Sequence, residues 1–273
     1  TSGTITLNAQ SISADYSGLA ADVKAAFAGI TTQTGKITLT DASVSVTDIN
    51  TVAGVTSGEV TATVTSAAAS VLNALTTTST DAITMTVNAE AASAATQASD
   101  LVSLNGKTNQ VITMTAVTSV SGSYADLLNV YVTNAGQYNG EGDEAVTITG
   151  SVTATQADAI ADVTSGVVTA TIDADTAAAL NVALVDSGSQ VNAYNLTING
   201  TTATASEITN LDNKTSGNIT LSGTSMTITV ASGETLNLSG VTNSLSGTLT
   251  INDSTGDNNI KGTSANDTLT LSS

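Results

Sequence analysis

The feature that most constrains this chain is self-similarity at a long, fixed offset. Leu104-Asn105-Gly106-Lys107-Thr108 matches Leu211-Asp212-Asn213-Lys214-Thr215 at an offset of 107 residues, and the strands that follow, Val111-Ile112-Thr113-Met114 and Asn218-Ile219-Thr220-Leu221, match as well. Thr1-Ser2-Gly3-Thr4-Ile5-Thr6-Leu7 parallels Thr215-Ser216-Gly217-Asn218-Ile219-Thr220-Leu221. A second frame, Thr56-Ser57-Gly58 against Thr164-Ser165-Gly166, has an offset of 108, as does Tyr16 against Tyr124. Lysine is rare here, so the register of Lys107 with Lys214 is hard to assign to shared composition. The chain therefore reads as two long repeats, 1–107 and 108–214, and a partial third, 215–273.

Each long repeat divides into about four units of roughly 27 residues, within the usual range of repeat periods. A unit reads as an alternating strand, a tight turn, a second short strand and a helical turn. Ile37-Thr38-Leu39-Thr40 alternates, Asp41 turns, Val44-Ser45-Val46 alternates again and Thr47 opens a helix. Thr204 with Glu207, and Thr153 with Gln156, have the spacing of a capping box, in which each side chain satisfies a free backbone N–H. Leu72 with Leu75, and Ile208 with Leu211, mark inward helix faces. Units this small cannot bury their apolar faces alone. The expected fold is mainly β with short helices, a parallel β-solenoid of about ten coils, right-handed by the usual crossover rule. The absence of proline agrees with strands that need every ladder donor.

Composition excludes much chemistry. The chain has no His, Cys, Trp or Arg, and its only basic residues are Lys24, Lys36, Lys107, Lys214 and Lys261. Nucleophilic sites built on His, and zinc sites built on His and Cys, cannot form. A net charge of -18 repels nucleic acid and anionic lipid. No apolar stretch approaches the length of a membrane span, and no basic start with an apolar core suggests a cleavable signal peptide. The expectation is no nucleic-acid partner and no membrane insertion. Hydrophobic residues make up 40% of the chain, which argues against disorder.

The units T-S-G-x-V-T-A-T and S-E-I-T-N-L-D-N-K-T-S-G, with the tail Gly262-Thr263-Ser264-Ala265-Asn266-Asp267-Thr268-Leu269, resemble the Thr/Ala-rich strand-repeat segments of large secreted bacterial surface proteins, of S-layer, adhesin or cyanobacterial cell-surface type. The resemblance covers essentially the whole chain. It implies a calcium-dependent extracellular coat, filament or adhesin. The tail is also similar to the RTX nonapeptide G-G-x-G-x-D-x-U-x. Residues 262–270 place Gly262, Asp267 and Leu269 at the first, sixth and eighth positions, and residues 253–261 place Gly256, Asn258 and Ile260 at the fourth, sixth and eighth. Thr263 and Ala265 replace glycines of the pattern. The acidic residues of these two segments, Asp253, Asp257 and Asp267, are the candidate calcium ligands, and calcium is the one cofactor expected.

Other clusters read more plainly. Glu141-Gly142-Asp143-Glu144 reads as a solvated acidic loop, with a calcium site as the alternative. Thr1 has the chemistry of an N-terminal nucleophile, but Thr108 and Thr215 occupy its repeat position inside the chain, so no catalytic residue is assigned. The tyrosines read as packing over short helices, and the T-x-T segments, interrupted by turns and helices, as too irregular for an ice-binding face. The expected role is non-enzymatic: a subunit of an extracellular or cell-surface filament, sheath or surface layer, stabilised by calcium and forming a head-to-tail homopolymer through end-to-end solenoid contacts. The alternative is a spacer or binding module of a giant type I-secreted adhesin.

Overall fold

A computed structural model describes residues 8–30, 32–91, 94–185, 191–253, 256–264 and 268–271. The chain divides into two compact units, Thr1–Glu141 and Gly142–Ser273. In the first, the elements run α1 (Ala9–Ile12), β1 (Tyr16–Gly18), α2 (Ala20–Ala26), β2 (Ile37–Leu39), α3 (Val46–Ala53), β3 (Val60–Thr63), β4 (Ala67–Ala68), α4 (Ala69–Leu72), β5 (Ala82–Asn88), β6 (Thr96–Gln97), α5 (Ala98–Asn105), β7 (Ile112–Thr113), β8 (Ser119–Gly122), α6 (Tyr124–Leu128) and β9 (Tyr138–Asn139). A seven-stranded sheet runs in the order β1-β2-β3-β5-β7-β9, with β4 beside β5, and β6 pairs with β8. The second unit contains β10 (Ala145–Val152), α7 (Ala154–Ala161), β11 (Val168–Ile172), α8 (Ala177–Ala183), β12 (Ala193–Asn199), β13 (Thr202–Thr204), α9 (Ala205–Lys214), β14 (Ile219–Gly223), β15 (Met226–Val230), β16 (Thr235–Asn237), β17 (Val241–Leu245), β18 (Leu249–Asp253), β19 (Asn259–Lys261) and β20 (Thr268–Leu271). Its strands run β17-β14-β12-β11-β10 in one sheet and β13-β15-β18-β20 in another, with β16 paired to β19.

The expectation of a mainly β chain, a right-handed parallel β-solenoid of about ten coils, is corrected by this architecture. The protein is mixed α/β, with nine α-helices among the described residues and strands distributed over separate sheets rather than one long one. The physical reason lies in the crossovers. Parallel strands need a long connection, usually a helix, and these sequences cap helices efficiently. Asn8, Ser45, Ser123, Thr153, Thr176 and Thr204 each accept the N-terminal backbone hydrogen bond of the helix that follows. Both capping boxes read from the sequence are present. The second strand expected at Val44–Val46 is only a bridge from Val44 to Val64, and the helix there starts at Val46 under a Ser45 cap.

Parallel pairing itself is observed throughout. Tyr16 faces Ile37, which faces Val60, and Leu196 faces Ile219, which faces Val241. The inward residues of these strands, such as Ile37, Val60, Ile83 and Met85, are buried, as are Ile49, Val52, Leu72 and Leu101 of the helices. Six helices begin with a buried alanine: Ala20, Ala69, Ala98, Ala154, Ala177 and Ala205. At the start of a helix an alanine adds little bulk and loses no side-chain entropy.

The turns from helix back to strand explain why Thr-Ser-Gly recurs. Thr56 Oγ1 donates to the Gly35 carbonyl at 2.7 Å and accepts from Gly58 N–H at 2.9 Å. Thr164 repeats this with Glu144 O (2.7 Å) and Gly166 N–H (3.0 Å), and Thr215 with Tyr194 O (2.7 Å) and Gly217 N–H (2.9 Å). Thr108 makes the same bridge from Gln110 N–H to Ile83 O. The glycine is steric: a Cβ on Gly166 would lie 2.0 Å from Glu144 O, and one on Gly217 2.2 Å from Tyr194 O.

Two outcomes check this joint by chemical denaturation. Thr215→Val leaves the Tyr194 and Gly217 backbone groups without their buried partner and lowers stability by about 1–3 kcal/mol. Gly217→Ala forces the adjacent segments apart, at a cost in the same range as other overpacking changes, about 1–3 kcal/mol.

Candidate functional site

The polar side chains singled out by the repeat are used within the scaffold. Lys107 Nζ donates to the Leu75 carbonyl at 2.7 Å, just past the end of α4. Lys214 Nζ donates to the carbonyls of Leu184 and Asn181, the latter at 3.1 Å, at the end of α8. Both lysines therefore place a cation where a helix presents its negative end. Asparagines link helices sideways: Asn50 Nδ2 donates to Ala74 O at 2.7 Å and Asn181 Nδ2 to Glu207 O at 2.9 Å. Asp15, Asp41 and Asp81 accept backbone N–H groups of Lys36, Ala20 and Val60 at 2.7–2.8 Å.

Lys24 pairs with Asp48, and Lys36 with Glu59. Hydrogen bonds from Lys24 and Ser45 hold the Asp48 carboxyl below its ordinary range, and the Lys36 bond does the same to Glu59. The Glu59 partner raises the Lys36 ammonium in turn. Both pairs are at least partly exposed and screened by solvent.

An apolar cleft of about 220 Å³ lies between α2 and α3. Val23, Phe27, Ile30, Val52 and Val55 line it and Lys24 stands among them. Phe27 also packs edge-on against Tyr16, with ring centroids 5.0 Å apart. Tyr16 lies in β1 whereas Tyr124 opens α6, so the two do not share a structural position.

Two of the three candidate calcium ligands, Asp253 and Asp257, lie among the described residues. Asp253 ends β18 and accepts a hydrogen bond from Asn258 Nδ2, and Asp257 is exposed in the turn before β19. Asp267 and Thr1 lie outside the described residues. No group of three or more His, Cys, Asp or Glu side chains among the described residues is arranged to hold a metal ion. The acidic segment 141–144 is not simply solvated, because Glu144 is fully buried and its Oε2 accepts the Gly142 N–H at 2.8 Å. Sequence reasoning missed this. The signal was the position of Glu144, immediately before a strand and equivalent to Tyr194 in the Thr bridge.

Two buried tyrosines stand out chemically. Tyr138 donates to Leu101 O at 3.0 Å, and burial pushes its phenol up to about 12. Tyr194 is 2% exposed and its hydroxyl has no hydrogen-bond partner. Burial first, then the charges of Asp158 and Asp162, push its phenol above the ordinary range.

Searches against protein-family profiles, curated proteins and solved structures return no match for this chain. Among the described residues no helix is long and apolar enough to cross a membrane.

Raised folded-state phenol values make a stability contribution that is complete below the unfolded value of about 10 and lost as pH climbs through about 12. The stability of the chain is therefore expected to fall across that window. Tyr138→Phe should flatten the fall, as read from denaturant midpoints measured at a series of alkaline pH values.

Proposed function

We propose that the chain is a non-enzymatic structural protein, a subunit of an extracellular or cell-surface filament, sheath or layer that assembles end to end with copies of itself. The observation that supports this reading is the repeated joint. The hydroxyls of Thr56, Thr108, Thr164 and Thr215 each tie one strand–helix step to the backbone of the step before it. The lysines and asparagines described above act across the same steps. A joint that works between any two successive steps of one chain also works between steps of two chains, provided that their parallel strand edges meet. A head-to-tail contact of that kind does not close on itself and propagates as a fibre. Excess negative charge opposes such contacts, so divalent cations are expected to favour them.

Negative-stain electron microscopy and sedimentation of the purified chain, with and without calcium, test the assignment. Filaments or ordered layers, promoted by calcium and dispersed by chelator, are the expected result. Monomers at all concentrations in both conditions would count decisively against it.

A further inference from the structure

We propose that Asn139 is a self-modifying site, at which the Asn139–Gly140 peptide closes to a succinimide and reopens as aspartate or isoaspartate. The chain contains three Asn-Gly pairs, Asn105-Gly106, Asn139-Gly140 and Asn199-Gly200. Their local chemistry is the same, because a glycine has no side chain to hinder its own nitrogen and restricts its backbone least. The structure separates them.

Asn139 is exposed, and among the described residues its carboxamide makes no hydrogen bond. The Gly140 N–H has no backbone acceptor among those residues either, so the attacking nitrogen is not held elsewhere. Asn139 ends β9, a strand of two residues whose one ladder partner among the described residues is β7. Gly140 has a φ of +86°, and a Cβ there would lie 2.4 Å from Thr115 Cγ2. The fold therefore requires glycine at the position that makes the preceding asparagine reactive. The other two pairs are restrained. Asn105 is the last residue of α5, and the Gly106 N–H donates to the Ser103 carbonyl at 3.1 Å. That turn must open before the nitrogen can attack. Asn199 ends β12, a strand of seven residues paired on one side with β11 and on the other with β14. Its N–H donates to the Asp175 carbonyl at 2.8 Å and its Nδ2 to the Ala174 carbonyl at 3.4 Å, so side chain and backbone are both tied.

In the reaction the Gly140 backbone nitrogen bonds to Cγ of Asn139. The bond from Cγ to the carboxamide nitrogen breaks, and that nitrogen leaves as ammonia with the proton given up by the Gly140 N–H. Water then opens the imide. Attack at Cγ gives aspartate, and attack at the former backbone carbonyl gives isoaspartate, whose backbone runs through Cβ and Cγ. Water is the one co-reactant. Both products place a new carboxylate close in sequence to Glu141 and Asp143, on a chain already at -18. Isoaspartate also adds a methylene to the backbone immediately before Gly140, in the tight space beside Thr115. The modification does not depend on whether copies of the chain assemble.

The test incubates the full folded chain in mildly alkaline buffer. Asparagine loss is read from peptic peptides by mass spectrometry, and isoaspartate by isoaspartyl methyltransferase labelling. Asn139 should convert first, with isoaspartate as the larger product. Asn105 should convert about tenfold more slowly, the factor expected for a step that must first break a backbone hydrogen bond. Asn199 should also lag. In urea the three sites should react at similar rates, because the restraints are gone. Asn139→Gln should keep the parent circular dichroism, since the side chain it replaces is exposed and unbonded, and should lose the early isoaspartate signal. Folded-state rates that are equal at the three sites, or led by Asn105 or Asn199, overturn the assignment. So does a lead for Asn139 that persists undiminished in urea, or parent-level isoaspartate in the Asn139→Gln chain.

Discussion

Everything in this structure depends on how closely one strand–helix step can approach the next. At the turn from helix to strand the backbones come so near that no side chain fits between Gly217 and the Tyr194 carbonyl, or between Gly166 and the Glu144 carbonyl. That approach would leave backbone groups away from water without partners. The threonine two residues earlier supplies the partner, with a hydroxyl that accepts from its own turn and donates to the neighbouring step. One small side chain thereby satisfies groups on both sides of the joint, and the parallel ladder continues from there.

The same economy governs the charges. A chain with a net charge of -18 and few cations needs its acidic groups stabilised. Several carboxylates do so by accepting backbone N–H groups, as Asp15, Asp41 and Asp81 do. Asp48, Asp100, Asp126 and Glu207 sit in the first turns of their helices, where the dipole favours negative charge. Lys107 and Lys214 serve the opposite ends. Asp158, in the last turn of α7, accepts the Val185 N–H at 2.9 Å.

The parallel pairing, the capping boxes and the inward leucines were legible because each depends on local spacing. Thr204 and Glu207 satisfy each other's backbone within one turn, and Leu72 and Leu75 are buried where their spacing placed them. The extent of helix was misjudged because alanine fills both strands and helices. Only the caps distinguish the two, and the helices carry few apolar anchors each. The alternation at Val44–Val46 looked like a strand, yet Ser45 turned its side chain to the backbone and began a helix instead.

The sequence by itself determined the absence of His- and Cys-based chemistry, the two capping boxes and the recurrence of Thr-Ser-Gly, because composition and spacing along the chain are enough for those. Only the tertiary structure decided what the recurring residues touch. A hydroxyl that bridges two steps, a lysine that reaches a helix end about thirty residues away, and a phenol that donates to a carbonyl of another element all depend on distances through space. Those distances follow from how closely the steps pack, which no spacing along the chain encodes.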